Sequence, residues 1–344
     1  MKIFLGYAAL AIFTGITVTI SRGGWAATGV TLGVMYFWLF KQRDYRKQAL
    51  AILAALVAIF AFFFWKADMP PDRYERFNVA AQVEDVRFRL WSPAVAIWKD
   101  HFWFGAGPAH FDARFRQYRP VDLDLQFRPE RVHNDYLNTL ADWGLVGATL
   151  VLLCWVTFYC QVFSGWKYVQ RSQNDLAAKR SSKAAFVSGG ALGLLAILVH
   201  SFLDFNMHIP ANAILAVTLM ALVAAHYRFA SERFWHTVRW PLRIPVTASL
   251  LAALAYLGPQ AWKRTAQCYW LVKSEDASES SDARLAALKK AWSAEDRDFE
   301  TAYQAGETLR LQSWQGREGY QTLVQQAMKW FEQAMKLNRY DPHA

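Results

Sequence analysis

The chain has little of what a disulfide-bonded or metal-binding protein uses. Its 344 residues include only three cysteines. Cys154 and Cys160 lie within one apolar run and read as small packing residues, while Cys268 stands alone. No disulfide framework fits, and no Cys or His spacing matches a metal site or implies a cofactor. Acidic residues are also in deficit, 28 against 38 Lys and Arg, for a net charge of +10. A cleavable signal sequence is not expected either. The first apolar run has no small-residue cleavage site and continues into Ser21-Arg22-Gly23-Gly24 and a second run.

Apolar residues are abundant. They make up 54% of the chain, with 16% aromatics and 16 Trp. That exceeds an ordinary soluble domain and fits a multi-span membrane protein. Seven runs approach the roughly 20 residues that a span needs: Ile3–Ile20, Gly24–Phe40, Ala49–Trp65, Leu145–Phe163, Ala184–Leu203, Ala211–Tyr227 and Ile244–Trp262. Trp and Tyr cluster at their ends, as interfacial belts do. The expected fold is all-α, a transmembrane helix bundle of about seven spans with a large external loop and a helical tail. The expected divisions are spans over 1–65, a loop over 66–144, spans over 145–262 and a tail over 263–344.

The positive charge reads as a topology signal. Lys41–Lys47 carries four bases, Lys167–Lys183 five and Arg228–Arg243 four. Ser21–Gly24 carries one and Asp204–Pro210 none. The positive-inside rule puts the three basic loops in the cytoplasm. Alternation then places Ser21–Gly24, the 66–144 loop, Asp204–Pro210 and the tail outside. A nucleic-acid partner is not needed to explain the charge.

The external loop is too long for a plain connector, and such loops are usually functional. Nine of its eleven bases are Arg. Arg is favoured where planar, bidentate contact with phosphate or carboxylate matters, although salt bridges inside the loop would also use it. Glu84–His101 reads as one amphipathic helix with an apolar face of Phe88, Trp91, Val95 and Trp98. Gly105-Ala106-Gly107-Pro108 reads as a tight turn, with a phosphate nest as the alternative.

Polar clusters sit where the loops meet the spans, and such clusters often mark functional sites because they cost desolvation energy. His133-Asn134-Asp135-Tyr136-Leu137 precedes a short helical stretch, Gly144 and an apolar run. His133 is either a satisfied residue at a helix start or a catalytic base. His200, Asp204 and His208 repeat every four residues, so a continuing helix would align them. That face is either an ordinary span end or a wall of the same site. Arg22 either snorkels to the interface or faces a ligand admitted by the close backbone approach of Gly23 and Gly24.

Taken in order, these segments resemble a family. They are Ser21-Arg22-Gly23-Gly24-Trp25, Arg87-x-Arg89-Leu90-Trp91, Trp103-Phe104-Gly105-Ala106-Gly107-Pro108, His133-Asn134-Asp135-Tyr136-Leu137 with Trp143-Gly144-Leu145-Val146-Gly147, and His200-Ser201-x-x-Asp204-Phe205. The order resembles the O-antigen ligase and O-antigen polymerase superfamily of bacterial envelope glycosyltransferases, over roughly residues 1–230. The resemblance implies transfer of a glycan from undecaprenyl pyrophosphate to an acceptor hydroxyl on the outer face of the inner membrane, without a metal. It matches the family's essential positions to Arg22, one of Arg87 or Arg89, and His133. Arg89 is taken as the catalytic member of that pair, with Arg87 binding substrate. Asn134 or Asp135 would orient His133. Tyr136, Gly105, Gly107, His200 and Asp204 would line the substrate site.

The chain also departs from the family, whose members usually carry about twelve spans. It begins where the family's middle would be, so the expectation is a fragment or a chain completed by another. Residues 327–342 resemble the second helix of a tetratricopeptide repeat with its closing Pro342. Such a tail would bind a protein partner or the acceptor, unless it is only a structural hairpin. A transporter of lipid-linked glycan and an inactive scaffold are the other functional classes. A transporter would favour ionisable residues near the midplane of its spans, and these spans carry almost none.

Overall fold

The computed structural model describes residues 2–19, 21–41, 46–66, 86–121, 123, 129–170, 182–230, 239–316 and 319–340. Every regular element among them is helical. The chain divides into two compact units, Met1–Trp235 and His236–Ala344.

The first unit holds α1 (Lys2–Val18), α2 (Arg22–Lys41), α3 (Arg46–Lys66), the short α4 (Val86–Arg89), α5 (Trp91–Asp100), α6 (Phe111–Tyr118), α7 (Asp135–Gln170), α8 (Ser182–His200) and α9 (Pro210–Ala230). In the second lie α10 (Trp240–Glu275), α11 (Asp282–Ala294), α12 (Phe299–Trp314) and α13 (Tyr320–Leu337). Four helices are long and apolar enough to cross a membrane: Asp135–Val169, Ser182–His200, Pro210–Arg228 and Trp240–Glu275. The other three expected runs also form helices, α1, α2 and α3, of which the first two fall short of that measure. α1 has only 17 residues. α2 is diluted by four glycines and two threonines. The expected junction at 262/263 falls inside α10, which runs unbroken from its apolar half into its polar half.

α7, α8 and α9 share one apolar core around Val162, Leu194, Val223 and Tyr227. Small residues let the backbones close in. The Tyr227 ring fills the space at Gly165, where a Cβ would come within 2.6 Å of it. The Tyr227 hydroxyl donates to the Val162 carbonyl at 2.9 Å, which satisfies it inside the bundle.

A second core belongs to the segment between α3 and α7 and to the first turns of α7. Here the expected single helix over 84–101 is corrected. Pro93 has no N–H, and its ring clashes with the carbonyl four residues earlier. The chain therefore breaks at Leu90 into α4 and α5. The buried face is also one step round from the expected one. Leu90, Ala94 and Ile97 pack on Phe111, Phe115 and Ala141. The large aromatics Trp91 and Trp98 are only half-buried, at the rim.

In the second unit Ala287, Ala291, Ala302 and Ala305 are buried. Ser281 and Asp298 cap α11 and α12 by accepting from the Arg284 and Glu300 amides. The Phe331 ring lies over Gly306, where a Cβ would approach it to 2.9 Å, so α12 and α13 pack closely.

Candidate active site

The site is built where α7 begins. Asn134 is its cap: the side-chain oxygen accepts from the Tyr136 and Leu137 amides at 3.0 and 3.1 Å. Those are two of the donors that a helix start leaves unpaired. The Asn134 amide nitrogen donates to the Phe202 carbonyl at 3.1 Å. The Asp135 amide donates to the Ser201 carbonyl at 2.9 Å. The start of α7 is thus sewn to the segment that follows α8.

That segment corrects the expected continuing helix through His200, Asp204 and His208. α8 ends at His200, and a single 3-10 turn spans Asn206–His208. The three residues consequently diverge. The His200 imidazole packs against α2, where a Cβ on Gly23 would come within 2.8 Å of it, and its Nδ1 lies 2.6 Å from the Asn206 amide. The space at Gly23 thus admits a side chain of the protein itself. His208 turns inward and binds Asp135 through Nδ1. Asp204 stays at the surface and faces His133.

His133 sits just before the cap in a left-handed conformation, with φ +54°. That conformation is costly for a residue with a Cβ, and strain of this kind gathers at functional positions. Its flanks hold it there. The Val132 amide donates to Asn138 at 3.1 Å on one side, and the Asn134 cap lies on the other. His133 Nδ1 is at ion-pair distance from Asp204 Oδ1, 3.4 Å, with each side chain 30% exposed. The Phe205 ring meets the imidazole edge-on at 4.8 Å. The carboxylate beside the His133 ring is therefore Asp204, and Asn134 and Asp135 are engaged elsewhere. Asn134 is occupied as a cap, and Asp135 is bound by His208 and by the Met207 amide at 2.9 Å.

A small cavity of about 90 Å³ joins Arg22, Gly23, Arg87, Phe88, Trp91, His133 and Leu203. Arg22 is the first residue of α2 and Arg87 lies in α4. Arg87 donates to the Leu203 carbonyl at 3.3 Å. Arg89 is not among the lining residues. Three segments far apart in sequence thus bring two guanidinium groups and one imidazole to one cavity. Its volume is well below the ~300–1,000 Å³ of a pocket that encloses a whole small molecule. It suits a compact anionic group with the rest of a ligand outside.

Gly105 and Gly107 serve the framework. Both have positive φ, +72° and +112°. The Ala106 and Gly107 amides donate to the carbonyls of Ala141 and Asp142 at 2.8 and 3.0 Å, so this turn is not the alternative phosphate nest. Tyr136 likewise braces α8, its hydroxyl donating to the Leu198 carbonyl at 2.7 Å.

Sequence reasoning missed a buried polar network beneath the site. Asn138 donates to Asp142 at 2.8 Å and reaches His208 Nε2 at 3.2 Å. Asp142 in turn accepts from the amides of Ala109 and Phe111, both at 3.1 Å. Asp135, Asn138, Asp142 and His208 thereby lock three loops to α7. The Val132 amide can only donate, so Asn138 turns its oxygen to it and its nitrogen to His208. His208 then accepts at Nε2 and donates from Nδ1 to Asp135. A signal was present in the spacing: Asp135, Asn138 and Asp142 share one helical face at intervals of three and four.

No curated protein matches the chain, and no solved structure does. Residues 7–152 match the family model described as O-antigen ligase. That stretch holds Arg22, Arg87 and His133, and it is this part of the chain that is similar to the O-antigen ligase family.

Proposed function

We propose that the chain is a membrane glycosyltransferase that moves a glycan from undecaprenyl pyrophosphate to an acceptor hydroxyl. The observation that carries this reading is the cavity lined by Arg22, Arg87 and His133. Arg22 and Arg87 would hold the pyrophosphate and stabilise the charge that grows on it as it leaves. A sugar hydroxyl is a poor nucleophile and needs a base in the transition state. With Nδ1 turned to Asp204, His133 keeps Nε2 for that proton, and Asp204 stabilises the imidazolium that forms. The acceptor oxygen bonds to the anomeric carbon as the carbon–oxygen bond to pyrophosphate breaks. The hydroxyl proton goes to His133, the lipid pyrophosphate departs, and direct displacement inverts the anomeric centre.

The membrane setting follows the charge pattern. In this reading all seven apolar helices span a bacterial inner membrane, with the site and the tail on the periplasmic side. The tail is a tetratricopeptide-like module whose alanine-packed helices offer a surface to a protein partner or to the acceptor. The test is transfer from an undecaprenyl-pyrophosphate-linked oligosaccharide to an acceptor glycolipid in nanodiscs. His133→Ala should lower turnover about 10²–10⁴-fold, the usual range for a lost general base. Near-normal turnover would remove His133 from the mechanism.

A further inference from the structure

We propose that the Phe102-Trp103-Phe104 turn is a membrane anchor, seated in the outer lipid interface beside the first turn of the apolar part of α7. Trp103 and Phe104 are 61% and 77% exposed, and the nearby Trp143 is 51% exposed. Phe102 stacks on Trp98 at 5.3 Å and meets Trp103 edge-on at 5.1 Å, so these three rings form one packed group. Nothing in the chain covers its outer side among the described residues.

Lipid is the occupant that the geometry favours. An irregular turn can enter an apolar interface only if its backbone groups are satisfied. Here three consecutive carbonyls are. His101 accepts from the Gly105 amide at 2.8 Å, Phe102 from Leu145 at 2.8 Å and Trp103 from Val146 at 3.1 Å. The last two are made by the residues that follow the non-helical break at Gly144. They fix the turn against the residues that open the apolar run of α7. The exposed side chains of Leu150, Leu152 and Leu153 follow. Four residues of helix, about 6 Å at 1.5 Å per residue, separate Val146 from Leu150. The turn is therefore level with the start of the lipid-facing surface and continuous with it. Its other side is polar. Asp100 accepts from the Tyr118 hydroxyl at 2.7 Å, and His101 Nε2 lies 3.4 Å from Arg114. Aromatic rings with a polar back are the composition of an interfacial belt. The inference needs only that α7 crosses a membrane. It stands or falls apart from the transferase reading.

The test is the depth of a nitroxide at Phe104→Cys in the full chain, with Cys154, Cys160 and Cys268 replaced by Ser. The protein sits in nanodiscs of phosphatidylethanolamine and phosphatidylglycerol. Collision with oxygen, which enters lipid, is compared with collision with a water-soluble nickel chelate. Leu152→Cys is the lipid reference. Val121→Cys, at a residue 106% exposed in the outer loop, is the water reference. The oxygen-to-nickel ratio at Phe104 should exceed that at Val121 at least tenfold. A ratio equal to the Val121 value would overturn the anchor. Low collision with both reagents would also overturn it, by showing a protein contact such as a second copy. Trp103→Cys repeats the measurement if the Phe104 variant fails to fold.

Discussion

At the residue scale, the choice between Arg87 and Arg89 turns on helical geometry. Residues two apart on a helix point about 200° apart, so one cavity cannot take both from α4. The cavity takes Arg87. Arg22→Lys and Arg87→Lys should each lower turnover about tenfold, roughly 1.4 kcal/mol, because an ammonium cannot make the bidentate contact. Arg89→Lys should stay within about twofold, as expected of a position outside the cavity. The check is the rate of release of lipid pyrophosphate from each variant. An Arg89 effect larger than the Arg87 effect would reverse the assignment. Arg22 and His133 were legible in the sequence because each sits in a short polar motif at the edge of an apolar run. The pairing of His133 with Asp204 was not. The two are far apart in the chain, and the neighbouring carboxylate of Asp135 was the obvious partner until His208 was seen to hold it.

At the scale of elements, two glycines and one proline shape the site. Gly144 interrupts α7 with φ +65° and ψ −169°. Gly105 packs so closely that a Cβ there would lie 2.4 Å from the Asp142 backbone. Gly105→Ala should therefore lower the melting temperature in detergent. The left-handed backbone alone costs about 1–2 kcal/mol, and the clash adds to it. Gly6→Ala is the control, since a Cβ there meets nothing within 4 Å. Equal melting temperatures for the two variants would contradict the locked turn. Hydropathy made the short helix, the break and the apolar run readable in α7. The outer loop was harder. Three aromatics and Val95 at helical spacing outweighed Pro93, although Pro93 decided where the helix broke.

For the whole molecule, the prediction is one of sidedness. Single cysteines at Val121 and Ser280, in a background without native cysteines, should react with a membrane-impermeant maleimide on intact cells. A cysteine at Gln173, in a basic loop, should react only after permeabilisation. Labelling of Val121 and Gln173 from the same side would break the topology. The all-helical class followed from composition, because a membrane core accepts only structures that satisfy every backbone group internally. The order of polar motifs gave the resemblance to the O-antigen ligase family, and residues 7–152 match that family's model.

Composition and hydropathy were thus sufficient to read the helices and to single out candidate residues, since each depends on local sequence and on the membrane as solvent. Tertiary structure alone decided which candidates meet. Arg22, Arg87 and His133 share a cavity because α2, α4 and the start of α7 converge. Asp204 reaches His133 because α8 ends at His200 and its outgoing chain is bonded to the cap of α7. Such convergence is long-range packing, and no local pattern encodes it.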